Sequence, residues 1–186
     1  MHTFFHVDMA GRLRPGMNIE LSNKTPSVFG NNYWAKFKTA GIDIIPPLQQ
    51  AVVKGYSLDD AAYREFWLEV FRIGHPELKK LSLKSRLNSF FVAESIDDAR
   101  RYISRNGFTG EARIFKVKSQ DSGLKLDMTW LDQKFPRDFR EFGYYYLSYW
   151  KGMRIDDDPH LKAHEKRGSL LEILLDGKVE IGEAVA

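Results

Sequence analysis

The chain opens on a short aromatic and β-branched run, Thr3 to Val7 (TFFHV), followed by the glycine and proline of AGRLRPG. That pattern predicts a first strand, with Pro15-Gly16 turning into a short extended piece from Met17 to Leu21. Asn23 to Pro47 is polar and spotted with aromatics. Gly30, Gly41 and Pro46-Pro47 punctuate it, so it reads as an excursion with little regular structure. Apolar positions then fall into helical spacing, with Leu58, Ala62, Phe66 and Val70 at i, i+4. Ser57 and Asp60 supply a capping pattern for this helix, and Gly74 with Pro76 ends it. Leu87 to Ala93 predicts a strand. It runs into SIDDARRYISRNG, where Ser95 and Asp98 repeat the capping pattern and Asn106-Gly107 closes a second helix. EARIFKVKSQ carries an imperfect alternation through Ala112, Ile114, Phe115 and Val117. GLKLDMTWL alternates through Leu124, Leu126 and Met128. Both predict strands. DFREFGYYYLSYWKG predicts a helix ending at Gly152, and DDDPHLKAHEKRG a charged loop. The last stretch, SLLEILLDGKVEIG, predicts a β-hairpin turning at Asp176-Gly177.

Strands and helices follow one another without a regular βαβ period. The expected fold class is therefore α+β, one domain over 1–186 with a largely antiparallel or mixed sheet. Hydrophobic residues make up 43% of the 186, enough for a real core. Cysteine is absent, which excludes disulfides, thiolate metal sites and a cysteine nucleophile. No segment has the apolar length of a membrane span, and the N-terminus has no apolar signal core. A soluble, cytoplasmic protein with no membrane partner is the expectation. The formal charge of +3 permits a nucleic-acid partner without requiring one.

Phosphate-loop and dinucleotide fingerprints are missing. His160 and His164 have a His-x-x-x-His spacing, but in a charged loop with no third ligand beside them. Glu172 is the sharper anomaly. In an alternating strand Leu170, Glu172 and Leu174 share one face and Leu171, Ile173 and Leu175 the other. Both faces are apolar, and one carries a carboxylate that is costly to bury without partners. Glu172 is expected to point into a partly open pocket, with Leu170 and Leu174 flanking its floor. A structural ion pair with Lys178 or Arg86 is the plainer reading of the same acid. The tyrosines Tyr144, Tyr145, Tyr146 and Tyr149, with Trp150, are too dense for one buried stripe, so some are expected to line a cleft or a partner surface.

FHV, SRLNSFFVAESIDDA, YWKG and EILLDGKVEI occur in that order. In this order the chain resembles a group of bacterial and phage proteins assigned to the ADP-ribosyltransferase superfamily. The resemblance spans nearly the whole chain, except a variable inserted lobe at about 23–80. It implies a split antiparallel or mixed β-sheet with flanking helices, and NAD as the bound nucleotide. It also implies mono-ADP-ribosylation of a macromolecule, whether RNA, DNA or protein. A toxin or phage-defence role, with an antitoxin or inhibitor protein as partner, follows from the same company. His6 takes the place of the residue that binds the adenosine ribose, and the backbone of Val7 that of the nicotinamide grip. Phe90 stands where a tyrosine usually stacks on nicotinamide, keeping the ring and losing the hydroxyl. Tyr149 or Trp150 would complete that frame. Glu172 matches the catalytic acid, and Arg86 is placed to meet the pyrophosphate or to fix the glutamate. Two other readings stand beside this one: an RNA 2′-phosphotransferase-like or non-catalytic nucleotide-binding or nucleic-acid-binding protein of the same fold, and a protein-interaction module.

Overall fold

The computed structural model describes residues 1–22, 24–41, 59–132 and 139–185. Among these residues seven strands form two antiparallel sheets. In the first, β1 (His2–Asp8), β4 (Arg113–Ser119), β7 (Lys178–Ala184) and β2 (Asn18–Glu20) lie side by side in that order. In the second, β6 (Leu171–Leu175) runs between β3 (Phe90–Val92) and β5 (Leu124–Asp127). Four α-helices accompany them among the described residues: α1 (Val28–Thr39), α2 (Asp60–Gly74), α3 (Ile96–Arg105) and α4 (Phe139–Trp150). The class is α+β, as the patterning predicts.

Among the described residues one backbone bridge joins the sheets. Phe5 and Ala93 exchange backbone hydrogen bonds of 2.9 and 2.7 Å, tying β1 to the end of β3. β6 explains why both of its faces are apolar. Ile173 and Leu175 pack with Val92, Phe115, Val179 and Ile181, while Leu174 packs with Leu126, Tyr149 and Trp150. A central strand covered on both sides needs apolar residues on both.

Four expectations are corrected. The excursion after Asn23 contains α1. Gly30, Asn31 and Asn32 are weak helix formers and mask it. The helix is held instead by the Ser27 cap, whose hydroxyl accepts from the Gly30 amide at 3.2 Å, and by the stripe Phe29, Tyr33 and Phe37. Second, α2 is capped by Asp59, whose carboxylate accepts from the Ala62 amide at 2.8 Å; Ser57 and Leu58, like Pro46-Pro47, lie outside the described residues. Third, the strand predicted from Leu87 starts only at Phe90, because Arg86–Asn88 forms a 3₁₀ turn. GLKLDMTWL likewise stops being a strand at Asp127, whose side chain accepts from the Thr129 amide at 2.9 Å and opens the 3₁₀ turn Met128–Leu131.

The fourth correction matters most. Asp176-Gly177 does not close a hairpin. It carries the chain from β6 in one sheet to β7 in the other. Gly177 adopts φ of 73°, which favours glycine, and its carbonyl accepts from the Leu21 amide at 2.8 Å. Lys84 ties the link down through Asp121 and Asp176.

Candidate functional site

A cleft of about 400 Å³ lies over the joint between the sheets. Its floor is Phe5, His6 and Val7 of β1, Phe91 to Ala93 at the end of β3, and Leu171 and Glu172 of β6. Phe29 and Tyr33 of α1 and Arg64 of α2 form one wall; Tyr102 and Asn106 at the end of α3, with Met128, Leu131 and Asp132, form the other. His6 and Glu172, 166 residues apart in sequence, therefore line the same cavity.

Glu172 is only 8% exposed, and partners hold it. Its Oε1 accepts from Arg86 Nη1 and, at 2.7 Å, from the Tyr149 hydroxyl. Arg86 Nη1 also donates to the Tyr149 oxygen at 2.5 Å, closing a three-membered ring of charge-assisted bonds. Among the described residues the other carboxylate oxygen, Oε2, has no hydrogen-bond partner. Arg86 is itself buried. Its Nε donates to Glu65 Oε2 at 2.8 Å, its Nη2 to Glu65 Oε1 at 3.3 Å, and its backbone amide to Glu69 Oε1 at 3.2 Å. The guanidinium lies over the Phe91 ring at 4.9 Å. Burial alone would lower the affinity of this guanidinium for its proton. The charges of Glu172 and Glu65 overrule it and hold the group well above its ordinary value. Burial drives the Tyr149 phenol well upward, with Arg86 opposing and Glu172 adding to the rise, so the hydroxyl stays a donor.

His6 Nδ1 lies 2.7 Å from the Phe91 carbonyl oxygen. A carbonyl only accepts, so the proton belongs on Nδ1 and Nε2 keeps its lone pair. Burial lowers the His6 pKa below its ordinary 6.5, against smaller opposing pulls from the Phe91 carbonyl and Asp8. The ring is thus neutral at physiological pH.

Of the residues expected at a site, His6, Val7, Arg86 and Glu172 come together on the cleft. The expected floor residues Leu170 and Leu174 are fully packed in the core instead. The expected nicotinamide frame falls elsewhere. Phe90 is on the opposite face of β3 from the cleft, stacked on His6 with centroids 4.3 Å apart; the neighbouring ring, Phe91, lines the cavity. Alternation along β3 makes that choice once the 3₁₀ turn has set where the strand begins. Tyr149 is fully buried behind Glu172, braced rather than exposed. Trp150 is core, its indole N–H donating to the Leu68 carbonyl at 2.9 Å. The tyrosine density of α4 has the same cause. The helix is enclosed by α2, β5 and the Met128–Leu131 turn, and its hydroxyls find Asp158, Glu141 and Glu172. Lys151 pairs with Glu77 at 2.5 Å.

Sequence reasoning missed Phe29, Tyr33, Arg64, Glu65, Tyr102 and Asp132. One signal was present. Glu65 and Glu69 stand i, i+4 on the face of α2 that also buries Ala62 and Phe66, the same acid-on-apolar anomaly as Glu172. Among the described residues no group of three metal-ligating side chains is present, and His160 and His164 form none. No helix among them is long and apolar enough to cross a membrane. No protein-family model and no curated protein matches the chain.

Proposed function

We propose that the chain is an NAD-dependent mono-ADP-ribosyltransferase acting on a macromolecule, with an ADP-ribosyltransferase-like split sheet. One observation carries the reading. Glu172, braced through one oxygen by Arg86 and Tyr149, shares a cleft with His6 where the two antiparallel sheets meet. NAD suits the polar and aromatic groups around that cleft. The free Oε2 of Glu172 accepts a ribose hydroxyl, the Nε2 lone pair of neutral His6 accepts another, and aromatic rings offer faces to flat bases. Arg86 is committed to two carboxylates, which leaves Arg64, with a third of its side chain exposed, as the phosphate contact on the cleft wall.

The reaction breaks the bond from ribose C1′ to nicotinamide, and the leaving ring takes the bonding pair. The ribose ring becomes cationic. The acceptor nucleophile then bonds to C1′ and loses a proton. A carboxylate fixed before the charge develops stabilises that transition state more than the ground state. Arg86 and Tyr149 keep Glu172 from turning away to solvate itself.

The alternatives have less support. RNA 2′-phosphotransfer calls for several free cations on one pocket, and one of the two guanidiniums lining this one is spoken for. A partner-binding aromatic patch on α4 is countered by the burial of Tyr145, Tyr146, Tyr149 and Trp150.

The test is nicotinamide release from NAD by the purified chain, with Glu172→Gln beside it. Release should fall by about 10²–10³-fold in the variant. Equal turnover in both removes Glu172 from the mechanism.

A further inference from the structure

The network behind Glu172 contains a residue that the proposed chemistry does not touch. Glu65 on α2 is fully buried and lies outside the cleft lining. It grips Arg86 with both oxygens, at 2.8 Å from Nε and 3.3 Å from Nη2, and Oε1 also receives Arg64 Nε at 3.4 Å. A two-point grip on a planar guanidinium fixes its position and its plane together. What is left for Glu172 is Nη1, which donates to Oε1 and to the Tyr149 oxygen and does not reach Oε2.

We infer that Glu65 is a positioning residue for the acid. It pins Arg86 so that the guanidinium braces Glu172 through one oxygen and leaves the other to the cleft.

Two physical consequences of removing Glu65 support this. A guanidinium released from Glu65 has a better partner available than a one-point contact, namely both oxygens of Glu172 at once. That arrangement would occupy Oε2, the oxygen the substrate hydroxyl needs. The second consequence is charge. Glu65 and Glu172 now share one guanidinium, so Glu172 keeps part of its negative field for the ribosyl cation. Given Arg86 to itself, Glu172 would be neutralised. Glu69 does not substitute, because it engages the Arg86 backbone amide and pairs its other oxygen with Arg72 at 2.7 Å.

The inference rests on the proposed role of Glu172, and the test separates the two. Glu65→Gln keeps the shape and removes the charge. The crystal structure of that variant should show Arg86 turned to donate to both Glu172 oxygens. In nicotinamide release, kcat should fall by about 10–10²-fold while the KM for NAD stays within about twofold. In the Glu172→Gln background, adding Glu65→Gln should cost no further activity, because the pathway between them is already cut. Arg86 unmoved in the crystal, an unchanged kcat, or equal losses in both backgrounds would each overturn the inference. Should Glu65→Gln fail to fold, Glu65→Asp carries the same experiments. Its shorter side chain can no longer reach both edge nitrogens, and the same turn of Arg86 and the same loss of kcat are expected. If wild type releases no nicotinamide, the enzyme reading falls, and the position of Arg86 in the variant crystal alone decides the role of Glu65.

Discussion

Replacing Arg86 with methionine isolates what the buried charge network contributes. Methionine is apolar, flexible and long enough to fill much of the arginine's space, so a cavity is a minor part of the effect. The electrostatic loss is large. Arg86 is the shared counter-ion of Glu65 and Glu172 and the donor to Tyr149. Without it, Glu65 keeps Arg64 at 3.4 Å and Glu172 keeps the Tyr149 hydroxyl as their side-chain partners among the described residues. Removing one partner of a buried pair costs about 3–5 kcal/mol, because the stranded charge stays desolvated. At roughly 2–4 °C per kcal/mol for a chain of this size, the melting temperature should fall by on the order of 10 °C. Glu172→Gln should be milder, since Arg86 retains the two-point grip of Glu65. The triple variant Glu65→Gln, Arg86→Met, Glu172→Gln should be more stable than Arg86→Met alone, because it strands no buried carboxylate and the partly exposed Arg64 keeps access to water. Urea unfolding followed by circular dichroism measures all three. An Arg86→Met variant within about 1 kcal/mol of wild type, or a triple variant weaker than the single, refutes the account.

Tyr149→Phe removes a hydroxyl that serves two charged groups and leaves the ring, so it should cost about 1.5–3 kcal/mol in urea unfolding; a loss below a few tenths would show that the hydroxyl is not shared as described. Because burial lowers the His6 pKa below 6.5, the unfolded chain takes up the proton first as pH falls, and stability should be lost from about pH 6.5 down through the folded value. The urea midpoint of His6→Phe should therefore fall less between about pH 7 and pH 5 than that of wild type, and parallel curves would count against a buried neutral imidazole. A Cβ on Gly30 would sit 1.8 Å from the Leu87 carbonyl oxygen, so Gly30→Ala must lift α1 off the 3₁₀ turn that carries Arg86. A cost of at least about 1–3 kcal/mol is expected, and an unshifted midpoint would mean that α1 does not seat there.

Local signals in the sequence suffice where one residue decides the outcome. Ser95 caps α3, Gly152 with φ of 68° follows α4, and the strand at TFFHV forms as expected. Glu172 and His6 were legible for different reasons, the first as a carboxylate in an apolar strand and the second through the order of family-like motifs. What failed was anything decided between elements. A turn at Asp-Gly looks the same whether the strand after it pairs with the strand before it or leaves for another sheet. Phe90 and Phe91 are interchangeable until the preceding turn sets the phase of β3. The near wall of the cleft comes from α1 and α2, in the segment read as a variable lobe, because its residues meet the floor only across long sequence separations. Tyr149 is expected to frame nicotinamide. Burial of its neighbours turned it inward, where it became the brace of the acid.

The crossing at Asp176-Gly177 has a consequence for how the molecule comes into being. β6 and β7 are consecutive in the chain, yet each is an interior strand of a different sheet. During synthesis the other five strands emerge earlier, and until 171–184 follows, β3 and β5 have no strand between them and β2 has no neighbour. A nascent chain stalled short of that segment would present several open strand edges, a state prone to association with other chains. The same fourteen residues deliver Glu172. Assembly of the two sheets and arrival of the carboxylate are therefore one event, and a partly made chain lacks the Glu172 side of the cleft.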